Sequence, residues 1–106
     1  MSDWINAVAE SDLLPGQHTV VEVEDAAILL VNLDGQYYAI EDICTHDGSE
    51  ISTGCIIDGS FECPRHGARF DIKTGEVTAP PAYEPVDTFP VQVVGGVVQV
   101  RDDRWD

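Results

Sequence analysis

This chain carries two short segments in which a cysteine and a histidine stand one or two residues apart. Cys44-x-His46 lies within CTHDGS, and Cys63-x-x-His66 lies within CPRHGARF. Thiolates and imidazoles in such pairs are typical metal ligands or catalytic groups. Because each segment supplies one residue of each kind, a fold that uses them together must bring two distant turns to one place. This requirement constrains the fold more than any other feature of the sequence.

Sixteen residues separate the two segments. They contain CII and the turn pair Asp58-Gly59, and SFEC (60–63) then leads into the second segment, a pattern that predicts a β-hairpin. A hairpin can leave one loop and return beside it, so we expect the two segments to be neighbours at one end of a sheet. Gly48 and Gly67 follow the histidines and would let backbone amides approach a ligand closely.

The remaining sequence predicts strands and turns rather than helices. HTVVEVE (18–24), AILLVNL (27–33) and QYYAIED (36–42) are rich in β-branched, apolar and aromatic residues. Turn pairs recur along the chain, and they are Pro15-Gly16, Asp34-Gly35, Asp58-Gly59, Thr74-Gly75 and Gly95-Gly96. These intervals are too short for helices. The 106 residues therefore predict one all-β domain, an antiparallel sandwich or barrel.

The net charge of the chain limits the kinds of molecule that it can bind. The chain has 20 acidic and 5 basic residues and a formal net charge of -15, which argues against binding to nucleic acid or to an anionic membrane. A basic partner surface is the natural complement. No apolar run approaches the roughly 18 residues that span a bilayer, and the start of the chain has no basic segment. We therefore expect a soluble, cytoplasmic protein.

Two cysteines and two histidines could hold several kinds of group. A structural zinc ion accepts this ligand set, but zinc fingers usually take both cysteines from one segment and both histidines from another. A catalytic thiol, Cys63 activated by His66, would leave Cys44 and His46 unexplained. Two mixed segments suit a dinuclear centre better, because each loop then touches both metals.

The four residues and their surroundings resemble the Rieske iron-sulfur signature, in which two histidines replace two cysteines on one iron. The resemblance extends to CPRHGARFD, to TGEV (74–77) and to APPAYEP (79–85), and it covers roughly residues 36–101 in detail. It implies a Rieske-like antiparallel β-sandwich or barrel in a single domain, residues 1–106. A cluster-binding lobe, about residues 43–85, would be formed by two loops at one end.

The resemblance also implies the cofactor and its ligands. One [2Fe-2S] cluster per chain would be held by Cys44 and Cys63 on one iron and by His46 and His66 on the other. In the family the histidines sit at the exposed tip of the lobe and the cysteines lie deeper. Electrons would then enter and leave through the two histidines.

The subclass follows from residues that differ from other Rieske proteins. The proteins of respiratory and photosynthetic cytochrome complexes have two further cysteines, joined in a disulfide, where this chain has Ser49 and Arg65. They also have a serine that donates to a cluster sulfur where this chain has Ala68. Losing that donor implies a reduction potential near about −150 mV, the low end of the Rieske range. The chain thus resembles the ferredoxin component of multicomponent aromatic-ring-hydroxylating dioxygenases.

The implied function is a one-electron carrier that is not catalytic alone. It would shuttle electrons from a flavin-dependent ferredoxin reductase to a terminal oxygenase, as a monomer in transient, salt-sensitive encounters. Since the chain has only three histidines, the cluster would leave one, too few for the two histidines of an oxygenase iron site. An alternative is a Rieske-type small subunit of a larger oxidoreductase such as assimilatory nitrite reductase.

Several other residues have simpler interpretations than a role in binding the cluster. Cys55 is expected at a half-buried strand position as an inert thiol, and His18 as an ordinary surface residue. The prolines of the 79–85 segment shape a loop which, in the family, covers one side of the cluster. Arg65, Arg69 and Lys73 either offset the negative charge of a reduced cluster or are simply solvated.

Overall fold

The computed structural model describes residues 3–104, and its regular secondary structure is almost entirely β-strand. The strands are β1 (Ile5–Ala9), β2 (His18–Val23), β3 (Ala26–Leu33), β4 (Gln36–Glu41), β5 (Cys55–Ile57), β6 (Ser60–Glu62), β7 (Arg69–Asp71), β8 (Val77–Ala79), β9 (Thr88–Phe89), β10 (Val91–Val94) and β11 (Val97–Val100). A short 3-10 helix spans Glu10–Asp12. The predicted all-β class is confirmed, and every strand pairing in the described part is antiparallel.

The strands form three sheets. The central sheet has the order β2-β3-β4-β9, a second sheet has the order β1-β11-β10, and a third has the order β5-β6-β7-β8. The third sheet carries the segment between the two Cys/His motifs and the strands that follow it. It is therefore the sheet that positions the candidate site.

Three predicted turn pairs close two-residue hairpins. Asp34-Gly35 joins β3 to β4, Asp58-Gly59 joins β5 to β6, and Gly95-Gly96 joins β10 to β11. Both residues of each pair have positive φ, for example 54° and 91° at Asp34-Gly35. Such turns match the twist of the flanking strands and favour Asp-Gly and Gly-Gly. These hairpins were readable from the sequence because the turn residues themselves specify the backbone.

The strand limits differ from the prediction in small ways. β2 ends at Val23, because Glu24 has a φ of 55° and belongs to the turn. β4 ends at Glu41, and Asp42 lies outside the strand. The sequence patterns do not predict β1, β7, β8 or β9. Strands β7 and β8 have three residues each and β9 has two, too few to show an alternating pattern.

Strand β3 lies between two hydrophobic cores. Leu29 and Val31 point into one core with Phe61 and Phe70 of the third sheet, which we call the lobe core. The alternating β3 residues Ile28 and Leu30 point into the other core, with Val98 and Val100 of the second sheet, and we call this the base core. Burial on both faces explains the nearly continuous apolar sequence of β3. The lobe that carries the candidate site is thus built on one face of the central sheet.

An ionic network fastens the end of the described chain to the central sheet. Arg104 contacts three carboxylates: Asp102 at 2.9 Å, Asp87 at 3.1 Å and Glu41 at 3.2 Å. Hydrogen bonds from Arg104 hold the pKa of the buried Asp102 carboxyl below its ordinary value. Because Glu41 is the last residue of β4, this network braces the strand that leads to the first Cys/His motif.

Within residues 3–104, no helix has the length and the apolar composition needed to cross a membrane.

Candidate metal centre

The first Cys/His motif forms a tight loop, residues 44–49, that we call the first loop. The Cys44 amide donates to the Ser49 carbonyl at 2.7 Å, and the Gly48 amide donates to the Cys44 carbonyl at 2.7 Å. Gly48 has a φ of 77°, a conformation that glycine adopts without steric cost. The loop therefore closes on its own backbone between Cys44 and Ser49.

The second motif, residues 63–68, repeats this backbone arrangement, and we call it the second loop. The Cys63 amide donates to the Ala68 carbonyl at 2.7 Å, and the Gly67 amide donates to the Cys63 carbonyl at 3.1 Å. Gly67 has a φ of 80°. Two six-residue segments of different sequence thus form the same hydrogen-bonded frame.

The second loop connects two paired strands. It follows β6 and precedes β7, and the flanking residues Glu62 and Arg69 are direct cross-strand partners. Their side chains form an ion pair of 2.8 Å between Arg69 Nε and Glu62 Oε2. A regular ladder therefore fixes both ends of this loop.

The first loop is held by a side chain instead. Asp42, buried just after β4, accepts hydrogen bonds at Oδ1 from the backbone amides of Ile51 at 2.9 Å and Ser52 at 2.8 Å. One carboxylate thereby joins the chain before the loop to the chain after it. Sequence analysis missed this residue, and its only signal was an acidic residue between a strand and a ligand candidate.

The two loops meet, as the hairpin pattern predicted. The sulfurs of Cys44 and Cys63 and one oxygen of Asp47 all lie within 4.8 Å of one another. One ring nitrogen each from His46 and His66 and an oxygen of Asp47 form a second group of the same size. The two imidazoles pack edge to face with centroids 5.3 Å apart. Sulfur and nitrogen donors are therefore presented as two adjacent pairs.

The cysteine pair and the histidine pair differ in their burial from solvent. Cys44 and Cys63 are each 1% exposed, whereas His46 and His66 lie at the surface. Burial raises the pKa of the Cys44 thiol, although the backbone amides of His46 and Asp47 donate to its sulfur and oppose that effect. A buried pair of thiols is held as thiolates most readily by a bound metal cation. This donor set suits zinc or an iron-sulfur centre.

Asp47 is a second residue that sequence analysis did not assign to the site centre. Its Oδ1 accepts hydrogen bonds from the Ser49 hydroxyl at 2.6 Å and from the Ser49 amide at 3.0 Å. Its Oδ2 lies 3.4 Å from Arg65 Nε and 3.9 Å from His66 Nε2. The bonds from Ser49, assisted by Arg65, lower the pKa of the Asp47 carboxyl. Asp47 therefore bridges the first loop to the second as a carboxylate.

The third cysteine and the third histidine lie elsewhere. Cys55 is exposed, so the expected half-buried position is wrong. It stands opposite Glu62 at the edge strand β5 and shares that residue's outward face, while Ile56 and Phe61 face inward. His18 is exposed as expected, but it also contacts the lobe. Its Nε2 lies 2.9 Å from the Ser52 carbonyl, and its ring meets Phe61 edge-on at 4.9 Å.

The proline-containing segment after β8 packs beside the first loop. Ala82 and Val86 are buried in the lobe core, and the Thr45 hydroxyl donates to the Glu84 carbonyl at 2.6 Å. Tyr83 between them is 89% exposed. The segment is therefore tied to the residue that stands between Cys44 and His46.

The three basic residues near the second loop have specific partners. Arg65 pairs with Asp47 and Arg69 with Glu62, while the Lys73 ammonium lies 5.9 Å from the ring centroid of Tyr38. Both arginines are therefore held in ion pairs, although the Arg65 side chain is also 64% exposed to solvent. Arg65, through Asp47, is the one that reaches the candidate site.

The chain belongs to the Rieske [2Fe-2S] domain family, which it matches over residues 3–90. It is similar to the ferredoxin component of the naphthalene 1,2-dioxygenase system of Pseudomonas putida, with 38% identity over 90 residues, 85% of this chain and 86% of the relative. It is also similar to the biphenyl dioxygenase ferredoxin subunit of Pseudomonas sp. (strain KKS102), with 33% identity over 102 residues, 95% and 94% of the two chains.

Solved structures give the same result. The ferredoxin of carbazole 1,9a-dioxygenase from Nocardioides aromaticivorans IC177 superposes with a TM-score of 0.87 at 30% identity, covering 92% of this chain and 95% of that one. A chain from a complex of oxygenase and ferredoxin in carbazole 1,9a-dioxygenase gives a TM-score of 0.87 at 36% identity, covering 92% and 91%.

A Mycobacterium tuberculosis chain described as a nitrite reductase small subunit has a TM-score of 0.85 but only 24% identity, over 96% of both chains. At that identity it shows a shared fold alone. The relatives therefore favour the ferredoxin class over the nitrite reductase alternative.

Proposed function

We propose that this protein is a one-electron carrier of an aromatic-ring dioxygenase system. It would receive electrons from a flavin-dependent ferredoxin reductase and deliver them to a terminal oxygenase. The observation that carries the proposal is the convergence of two buried cysteines and two exposed histidines at one end of a Rieske-family fold. The relatives, ferredoxin components of dioxygenase systems, support the choice of partners.

The four residues would hold the cluster as two pairs. Cys44 and Cys63 would bind one iron through their buried sulfurs, and His46 and His66 would bind the other through their exposed imidazoles. When bound, a [2Fe-2S] cluster accepts and releases a single electron. The residues of this chain contribute the burial of one side, the exposure of the other and a rigid frame in both loops.

The exposed imidazoles mark the point of exchange. Because the cysteines are buried and the histidines lie at the surface, a partner reaches the site from the histidine side. A chain with a net charge of -15 favours partners with basic docking surfaces, so the encounters should weaken as salt rises. We propose a monomer that binds each partner briefly, since a carrier has to release one before it meets the next.

We also propose that residues 1–106 act as a single domain with a cluster-binding lobe of about residues 43–85. What supports this is that β3 contributes side chains to both cores, so neither half is packed independently. The proposed compartment is the cytoplasm, where thiols are kept reduced. All three cysteines are free in the structure, which agrees with that environment.

The chain contains its own control residues for a test of the ligands. It has three cysteines and three histidines, of which two of each converge. The purified protein should contain iron and acid-labile sulfide in equal amounts, and Cys44→Ser or Cys63→Ser should abolish both. Cys55→Ser should retain them, because Cys55 is exposed and outside the site.

The histidines are tested through the spectrum. His46→Ala and His66→Ala should abolish the Rieske-type spectrum of the reduced state and the associated electron transfer while leaving the β-fold intact by circular dichroism. His18→Ala should keep the spectrum. Protein with one tetrahedral zinc ion and no sulfide would refute the proposal, as would an unchanged reduced-state spectrum in His46→Ala.

A further inference from the structure

Among the acidic residues of the described range 3–104, Asp47 is the one that lies in both donor groups of the site. One of its oxygens is within 4.8 Å of the sulfurs of Cys44 and Cys63, and one is within 4.8 Å of ring nitrogens of His46 and His66. No other acidic residue in the described part of the chain is grouped with these four side chains. A fixed charge in this position acts on every ligand atom at short range.

Asp47 also determines which acceptor receives the proton of the Ser49 hydroxyl. The Ser49 Oγ lies 3.8 Å from Cys63 Sγ, within hydrogen-bonding range for sulfur, and 2.6 Å from Asp47 Oδ1. A serine hydroxyl has one proton to donate. A carboxylate at 2.6 Å is the stronger acceptor, so the proton points to Asp47 and the Cys63 sulfur does not receive it.

We propose that Asp47 keeps the reduction potential of this centre low, by its own charge and by withholding the Ser49 hydroxyl from the Cys63 sulfur. The inference rests on the proposed function, because it requires a redox group bound by these ligands. Reduction adds one electron from the donor and no proton to the site, so its charge becomes more negative by one. A neighbouring carboxylate opposes that change. Hydrogen bonds to sulfur raise the potential of such centres, so withholding one lowers it.

Arg65 offsets this effect only in part. Its Nε is 3.4 Å from Asp47 Oδ2, but the Arg65 side chain is 64% exposed while that of Asp47 is 23% exposed. Solvent therefore screens the guanidinium more strongly than the carboxylate. Arg65 therefore weakens the effect of the Asp47 charge without cancelling it.

The two contributions separate in a set of four variants whose midpoint potentials are measured by redox titration. Asp47→Asn removes the charge but keeps an oxygen acceptor for Ser49, so the potential should shift upward. Asp47→Ala removes the charge and also frees the hydroxyl, so the upward shift should be larger. Ser49→Ala alone should have little effect, whereas Asp47→Ala/Ser49→Ala should return to the level of Asp47→Asn.

Asp25→Asn provides the matched control. Asp25 is exposed in the turn between β2 and β3, which flanks the base core, and its removal changes the net charge by the same amount. A screened charge at such a site should not shift the potential measurably. Sulfide content and the visible spectrum report separately whether each variant carries the cluster.

An Asp47→Asn protein with a full cluster and the potential of the wild type would overturn the role of the charge. Equal potentials for Asp47→Ala and Asp47→Asn would overturn the role of the hydroxyl. Both results would leave the proposed function intact. Wild-type protein without sulfide would instead remove the proposed function itself.

Discussion

The two ligand loops share one backbone and differ in the side chains placed on it. In each, the cysteine amide donates to the carbonyl five residues later, and a glycine amide returns to the cysteine carbonyl. Aligned on this frame, CTHDGS and CPRHGA place His46 opposite Arg65 and Asp47 opposite His66. The two cysteines therefore occupy equivalent positions in the shared backbone. At the third position the first loop has a histidine and the second an arginine, and at the fourth position the first has an aspartate and the second a histidine.

The loops differ as well in how they are supported. The second is carried between paired strands, whereas the first depends on Asp42 and on the end of β4. A ladder distributes its support over several backbone hydrogen bonds, and a single buried carboxylate concentrates it in one residue. We therefore expect the first loop to be the more vulnerable to single substitutions of side chains, and the second to changes in strand packing.

The largest effect is expected from Gly54→Ala, which disturbs the strands below the second loop. A Cβ atom at Gly54 would collide with the backbone carbonyl of Glu62, the residue before Cys63. Backbone cannot move aside without breaking the β5–β6 pairing, so the free energy of unfolding should fall by roughly 3–5 kcal/mol. Urea unfolding measures this loss. Gly59→Ala is the control, since its Cβ meets open space and only its φ of 79° is unfavourable; equal losses in the two variants would contradict the collision.

Asp42→Ala should have the next largest effect and should act on the first loop. The substitution leaves the amides of Ile51 and Ser52 without their acceptor, one of them buried, at a cost of roughly 2–4 kcal/mol. Amide hydrogen exchange at residues 51 and 52 should accelerate at the same time. Glu62→Gln serves as the comparison at the second loop, where a partly exposed ion pair contributes at most about 1 kcal/mol. A loss in Glu62→Gln as large as that in Asp42→Ala would contradict the difference in support.

The ionic network around Arg104, at the end of β4, predicts that the free energy of unfolding depends on pH. Arg104→Gln should lower the free energy of unfolding by about 1.5–3 kcal/mol at pH 7, because the buried Asp102 loses its charged donor. Since Arg104 lowers the pKa of Asp102, the stabilisation is present above the ordinary pKa near about 4 and is lost as pH falls through the lowered value.

Unfolding measured from pH 7 to pH 3 should therefore show a constant difference between Arg104→Gln and the wild type down to about pH 5, and a shrinking one below about pH 4. Arg69→Gln, which removes a partly exposed ion pair, should show a small difference throughout. If the difference in unfolding free energy between Arg104→Gln and the wild type grew as the pH fell, it would contradict a lowered pKa of Asp102 as its cause.

The sequence predicted those features that single residues specify locally. Asp-Gly and Gly-Gly pairs encode positive φ, so the hairpins at Asp34, Asp58 and Gly95 could be placed. Cysteine and histidine are residue types that commonly bind metals, so the sequence alone indicated candidate ligands. The hairpin between the two motifs then predicted their meeting, because its ends must lie side by side.

Features that depend on tertiary contacts could not be predicted in this way. Asp42 and Asp47 are two of many acidic residues, and nothing in the sequence distinguishes the one that joins two segments from one that is solvated. The error at Cys55 has the same origin, because the side of a short edge strand that faces the core is set by its neighbours. His18 shows its contacts with Ser52 and Phe61 only once the lobe is packed on the central sheet.

The smallest effect, and the most direct test of the shared frame, comes from Gly48→Ala and Gly67→Ala. Their φ angles are 77° and 80°, and a Cβ atom at either position would meet nothing within 4 Å. The cost is therefore the intrinsic cost of a left-handed alanine, about 1–2 kcal/mol, and should be the same in both loops. Urea unfolding of the two variants should agree within the error of the measurement. Unequal losses would show that the loops differ in backbone as well as in side chains, so that the alignment of Asp47 with His66 no longer held.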